Sequence, residues 1–249
     1  MSKVKKIIIA ALIFVVLAIV AMIPIPYVIE SPGTAEEVSQ FLTISGAKDE
    51  DPGSLRVLTV YVEQATVLTY FKKFLKHHEM VPAEEVFGDY TPEEFDALQD
   101  FSMRNARSKA VRVAFEAAGK TVERHVNGIF VTRVDPNSNF RDKLKVGDII
   151  ETIDGKSPGN TDESFEDLRD YLASLEPGHT LVLQVKRDDA TMMISGQLKM
   201  DSRTGGIRLG FGGEVDEDVT SDPSVEFDPH GVSGPSGGLM FTLEIYNQI

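Results

Sequence analysis

Behind Lys3, Lys5 and Lys6, Ile7 to Ile23 forms an unbroken run of seventeen apolar residues. At about 1.5 Å per residue, a helix of that run is about 26 Å long, close to the hydrocarbon thickness of a bilayer once its flanks are counted. No polar residue interrupts it. A core helix would need a polar side, so the run predicts a transmembrane helix. The lysines place its start in the cytoplasm and the remainder outside it. A cleaved signal peptide is the competing reading. Its apolar region would be long, and Met22-Ile23-Pro24-Ile25-Pro26 is a poor small-residue cleavage site, which favours an uncleaved signal anchor. Pro24 and Pro26 end the helix.

Beyond the helix the pattern shortens. Tyr27 to Gly33 reads as an extended segment and a turn, and Ser45 to Gly53 as a loop. Leu55 to Val62 is β-branched and partly alternating, which predicts a strand. Gln64 to His78 places Val67, Tyr70, Phe71, Phe74 and Leu75 at helical spacing. Thr91-Pro92-Glu93-Glu94 is a helix start: Thr91 can cap, Pro92 fits the first turn, and Glu94 can close a capping box. That helix is expected to run towards Ala118 and stop at Gly119.

Asn127 to Leu198 has a different texture. Gly128-Ile129-Phe130-Val131 opens a strand, Asp135-Pro136-Asn137-Ser138 is a turn, and Ile149-Ile150 begins another strand. Ile153-Asp154-Gly155-Lys156 predicts a tight hairpin. Ser164 to Leu175 is amphipathic, with Phe165, Leu168, Tyr171 and Leu172 on one face, and Leu181 to Arg187 and Thr191 to Leu198 read as paired strands. In order, "GIFV…V…NS…LKVGDIIETIDGK…F.DL..YL" resembles a PDZ domain of the bacterial protease type. The resemblance implies a peptide added as an extra strand beside Ile129, Phe130 and Val131, opposite the helix. The backbone of Val126-Asn127-Gly128 would receive a carboxylate or carbonyl, with Gly128 allowing close approach.

Composition narrows the chemistry. The 249 residues carry a formal charge of -14 and no cysteine. Disulfides, thiolate metal sites and a thiol nucleophile are excluded, and an acidic surface argues against a nucleic-acid partner. Adjacent His77 and His78 would point about 100 degrees apart on a helix and make no zinc pair. No metal, cofactor or nucleotide is expected. The Gly-rich run around Phe211 lacks the spacing of a nucleotide loop. The acidic residues between Glu214 and Asp228 lack the spacing of a calcium loop and read as a solvated linker.

The last stretch, GVSGPSGGLMFTLEIYNQI, predicts a loop entering a helix, with Ser236 among small residues. Small neighbours open Oγ to a carbonyl, and a helix N-terminus can stabilise an oxyanion; a plain helix cap is the alternative. The segment resembles the nucleophile loop of Lon-type serine proteases, G-P-S-A-G before an apolar helix. With "YVIESPGTAEEV", "VPAEEVFGDYTPEEF" and the PDZ-like segment, the whole chain is similar to membrane-anchored, PDZ-containing Lon-like proteases of Gram-positive bacteria. The resemblance implies an α+β fold with a single N-terminal transmembrane helix, a PDZ-like domain and the N-terminal part of a Lon-type protease domain. The expected divisions are 1–26, 27–124, 125–200 and 201–249. Leu55 to Val62 is expected to be an early strand of the protease fold.

The implied activity is ATP-independent hydrolysis of peptide or protein substrates, with Ser236 as nucleophile and a lysine as base. That lysine lies a few tens of residues after the serine in the family, whereas the last lysine here is Lys199. The chain is therefore expected to be an incomplete and inactive protease; a peptide-binding protein without catalysis is the alternative. His230 and Glu244 are weak substitutes, since sequence proximity supplies no orienting third group and Glu244 lies two helical turns on. Gly237 stands where the family usually has alanine, a change expected to fit sterically.

Overall fold

The computed structural model describes residues 2–47, 53–202, 205–228 and 231–249. In chain order they form α1 (Lys3–Ala21), β1 (Pro24–Glu37), β2 (Leu42–Ile44), β3 (Arg56–Thr66), β4 (Glu79–Pro82), α2 (Ala83–Phe87), α3 (Pro92–Ala117), β5 (Val122–Val134) and β6 (Ile149–Ile153). There follow α4 (Asp162–Ala173), β7 (Thr180–Arg187), β8 (Ala190–Gln197), β9 (Lys199–Met200), β10 (Ile207–Arg208), β11 (Phe211–Ser221), β12 (Val225–Phe227) and α5 (Gly238–Gln248). The chain divides into two compact units, residues 1–36 with 56–92, and residues 37–55 with 93–249. This differs from the expected divisions: residues 37–55, 93–124 and 201–249 all join the unit that contains the PDZ-like segment. Contacts distant in sequence, not the composition shifts along it, set these boundaries.

In the first unit, α1 is long and apolar enough to cross a membrane, and none of it is buried in the protein. Its length and composition are those of a membrane span or a signal sequence. The extended segment after it is longer than expected and pairs on either side, giving the sheet order β3-β1-β4. The strand expected at 55–62 is present as β3, in this sheet. The helix expected over 64–78 is not formed. β3 continues to Thr66, and a short 3-10 turn follows at Thr69–Phe74. The apolar residues at helical spacing find no core there: Phe71 and Phe74 are 65% and 74% exposed. Threonine hydroxyls compete with a helical ladder at this point, Thr69 Oγ1 accepting from Thr66 N at 2.7 Å.

The second unit holds a five-stranded antiparallel sheet in the order β11-β5-β6-β7-β8. Its core joins Val131, Ile150, Leu168, Leu181, Leu183 and Val185 with Phe140 and Leu144. The hairpin at Asp154-Gly155 forms as expected, with φ of 49° and 77°, the doubly positive pair of a two-residue turn. α4 begins at a Thr161–Ser164 capping box, two residues before the expected start. α3 is the long helix anticipated from Thr91, and it lies against the other face of the sheet, where Phe101 stacks on Phe130 at 4.0 Å. β12 pairs with β2, and Phe241 of α5 meets Phe41 and Phe227 edge-on.

Asp154 ties this sheet to α4. Its carboxylate accepts from Tyr171 Oη at 2.7 Å, His179 Nε2 at 2.8 Å and Val182 N at 2.7 Å. Burial alone would raise its pKa, but the three hydrogen bonds and His179 outweigh it and hold the carboxyl below its ordinary value. A depressed acid stabilises the fold fully above its unfolded pKa of about 4 and loses that contribution as pH falls through the folded value. Asp154→Asn, which tolerates the same left-handed backbone, is expected to cost about 1–2 kcal/mol at neutral pH. Thermal melts of both proteins at pH 7 and pH 3 should show the gap narrowing in acid.

Candidate functional site

The residues expected to meet a peptide are placed by the structure inside the sheet. Ile129 pairs with Ile150 of β6 on one edge and Val215 of β11 on the other; Phe130 pairs with Ile149 and Glu214. Val131 donates to Asp148 O at 2.8 Å, accepts from Gly147 N at 3.0 Å, and is fully buried. β5 is therefore saturated on both edges, and a peptide cannot add beside Ile129-Phe130-Val131 while β11 is in place. Asn127 Nδ2 donates to Asp218 Oδ2 of β11 at 2.9 Å. Gly128 serves packing: a Cβ there would stand 2.5 Å from Ile150 O, and its φ of 150° disfavours other residues. In this structure these positions make interior strand contacts.

The strand that displaces them was expected to be a solvated acidic linker. β11 instead pairs with β5 along Phe211 to Ser221 and forms the edge of the sheet. Its acidic residues are held by arginines remote in sequence. Glu217, 5% exposed, meets Arg124 Nε in a very short contact and Arg112 Nε at 4.0 Å. Asp216, 3% exposed, meets Arg104 Nη1 at 3.3 Å, and one of its oxygens is left without a partner. Burial pushes the Asp216 carboxyl up, Arg104 opposes this, and Asp218 adds to it. Among the described residues β5 is the strand partner of β11, so its outer edge is the open one.

The turn into β11 is closely packed. Gly210 has a φ of 83°, accepts from Asp135 N at 2.9 Å, and sits where a Cβ would stand 2.4 Å from Ser138 Cβ. Arg208 Nε donates to Asp135 Oδ2 at 2.9 Å and holds the same turn. Leu209 and Phe211 pack on the core that also takes Tyr171, Leu172 and Leu175 from α4 and the residues after it. No local signal marked this strand: register shifts between Gly212 and Gly213 and between Asp216 and Glu217 break its period of two, and the two acids at the second shift are buried.

Ser236 lies where a loop enters a helix, as expected. Gly234 precedes a 3-10 turn, Pro235–Gly237, and α5 starts at Gly238. Ser236 is exposed, and among the described residues none hydrogen-bonds its hydroxyl. Lys199 is engaged elsewhere, by a short bond to Asn137 O. Glu244 is buried and accepts from Gln248 at 2.8 Å, and His230 lies outside the described residues. Beside Ser236 a groove of about 400 Å³ is lined by Asn105 and Lys109 of α3, Glu214 of β11, and Pro235, Gly238 and Thr242. It presents an ammonium, a carboxylate and the buried, unpartnered Asn105 Oδ1.

An alanine at 237 does not fit freely. Its Cβ would stand 2.9 Å and 3.0 Å from ring atoms of Phe241, which is itself 3% exposed between Phe41 and Phe227. Gly237→Ala is expected to cost about 1–3 kcal/mol, the range for overpacking a fixed core. A melt of the variant against the wild-type chain checks it.

Comparison with known proteins agrees with the sheet rather than with the chain's end. Residues 102–197 match the PDZ domain family, from within α3 through β8. No curated protein matches the chain. Among solved structures it is similar to the PDZ domain of an SdrC-like protein from Listeria monocytogenes, at 25% identity over 35% of this chain and 87% of that one, with a TM-score of 0.31. The PDZ domain of an SdrC-like protein from Listeria innocua gives 26% identity over 35% and 94%, with a TM-score of 0.30. A Geobacillus thermodenitrificans protein gives 29% over 34% and 94%, with a TM-score of 0.29. What the sequence motif order suggested, the family match and the antiparallel sheet now state in common: over residues 102–197 this chain carries a PDZ domain, a peptide-binding module.

Proposed function

We propose that the protein is anchored to the membrane by α1, with its bulk outside the cytoplasm, and handles peptides as a Lon-like serine endopeptidase. The PDZ domain takes the peptide along the open edge of β11, and Ser236 is the nucleophile that attacks its peptide bond. Antiparallel strand addition to a free edge supplies backbone hydrogen bonds whatever the peptide's sequence. The turn at Gly210 receives a terminal carboxylate or an internal carbonyl. One observation carries this reading: β11 is both the edge strand of the PDZ sheet and, through Glu214, a wall of the groove that leads to Pro235 and Gly238 on either side of Ser236.

The chemistry asked of Ser236 is acyl transfer. Oγ attacks the carbonyl carbon, its proton passes to a base, and N–H groups at the start of α5 face the developing oxyanion. The resemblance assigns the base to a lysine after the serine. Peptide capture without turnover is the second reading, favoured by the exposed Ser236 hydroxyl having no described hydrogen-bond partner.

Binding is tested by titrating peptides with free C-termini onto the full chain. Gly210→Val is expected to weaken binding at least about tenfold, or 1.4 kcal/mol, and Asn127→Ala by about twofold or less. Amide exchange in β7 and β8 confirms that the sheet survives each change. The opposite ranking places the peptide at the Asn127 turn and removes the β11 edge as its site.

A further inference from the structure

A second surface lies in the other unit, and neither the PDZ domain nor Ser236 uses it. We propose that the turn Val67 to Leu75 seats in the lipid headgroup layer beside the end of α1 and recognises anionic phospholipid. This rests on the reading of α1 as a membrane span. The turn is fastened to the helix end: Leu68 N donates to Ala21 O at 3.0 Å and Val67 N to Ile23 O at 3.1 Å. Gln64 Nε2 adds bonds to Ile25 O at 2.6 Å and Tyr27 O at 3.0 Å. If α1 crosses the hydrocarbon, its last carbonyls lie at the membrane boundary, and so do the amides that cap them.

What the turn shows at that depth is apolar and basic. Leu68, Phe71, Phe74 and Leu75 are 64%, 65%, 74% and 55% exposed, in one short segment. Exposed apolar residues scattered singly need no explanation, but a contiguous cluster marks an interaction surface. From Gln64 to His78 there are three lysines and no carboxylate, in a chain of net charge -14; Lys72 pairs with Glu63 just before this stretch, which leaves Lys73 and Lys76 as its basic groups. Lys73 sits 3.6 Å from the Tyr70 ring centre. Aromatic rings with lysines around them are the side chains that settle at a membrane interface, and basic groups there draw anionic lipid. The paired threonines Thr66 and Thr69 hold the turn in this form, so the cluster is presented ready-made.

The chain has no tryptophan, so one introduced residue reports alone. The full chain carrying Phe71→Trp or Phe74→Trp is reconstituted in phosphatidylcholine vesicles with and without phosphatidylglycerol, containing lipid brominated near the headgroup. Phe14→Trp in α1, with lipid brominated deep in the acyl chain, reports on the span. The expected result is a blue shift and shallow-lipid quenching at 71 and 74, stronger with phosphatidylglycerol, and deep quenching at 14. Deep quenching at 14 with water-like, unquenched emission at 71 and 74 overturns the proposal and leaves the span intact. No quenching at 14 overturns the span and the proposal with it. A blue shift at 71 without quenching means that protein, such as a second copy, covers the turn, and also overturns it. Quenching indifferent to phosphatidylglycerol overturns the preference for anionic lipid.

Discussion

Arg187→Met is expected to cost the PDZ domain about 3 kcal/mol, because it strands a buried charge. Asp148 is 1% exposed. Arg187 grips it with two bonds, Nε to Oδ1 and Nη2 to Oδ2, each 2.7 Å, and Nη2 also reaches Lys143 O at 2.8 Å. Asp148 in turn accepts from Lys145 N at 2.8 Å, and its own carbonyl accepts from Val131 N. The pair thus fixes the turn before β6 against the middle of β5. Methionine keeps much of the arginine stem's volume, so the loss isolates the missing charge and its donors. Amide exchange at Ile150 and Val185 reads the effect, with protection expected to fall by about two orders of magnitude. Arg187→Lys should recover part of it, since an ammonium restores charge but not the two-pronged geometry. Equal protection in wild type and Arg187→Met would show that the pair contributes nothing to the fold.

Legibility along this chain followed how local each interaction is. α1, α3 and α4 could be read because their signals lie within a few residues: an apolar run, a cap and proline, an i, i+3, i+4 stripe. The strands β6 to β8 could be read because each is a short apolar run bounded by turn residues, and β7 and β8 follow one another through the two-residue turn at Asp188 and Asp189. β11 could not. Its burial of Asp216 and Glu217 depends on Arg104, Arg112 and Arg124, roughly a hundred residues earlier, and a sequence window sees only a run of acids. The pairing of Ile129-Phe130-Val131 on both sides was hidden for the same reason. Ile129-Phe130-Val131 does begin a strand, but which strand stands at the edge is a matter of topology, and a strand some eighty residues later takes that place. At 64–78 the error was of another kind: helical spacing is necessary for an amphipathic helix but gains nothing unless the apolar stripe meets a protein core. The surface proposed for that stripe is lipid.

On the endopeptidase reading, Ser236→Ala is expected to lower peptide cleavage on the order of 10⁴-fold or more. The size follows from what is removed. A nucleophile and its base act as one unit, so loss of the hydroxyl leaves only binding and the oxyanion donors to work on water. Peptide affinity, measured in parallel, should stay within about twofold, since Ser236 is separated from the β11 edge by the groove and makes no contact in the PDZ core. That split between unchanged binding and lost turnover marks a nucleophile. The alternative of a plain serine cap is not what the structure shows: α5 is capped at Gly237 with no side-chain bond, so Ser236→Ala should leave the melting temperature unchanged. Cleavage by Ser236→Ala at the wild-type rate would remove the endopeptidase reading and leave the PDZ domain as the functional element of the chain. The geometry already sets one condition on success: the methyl that a G-P-S-A-G loop would carry at 237 stands 2.9 Å from the Phe241 ring, so that ring must shift to admit it.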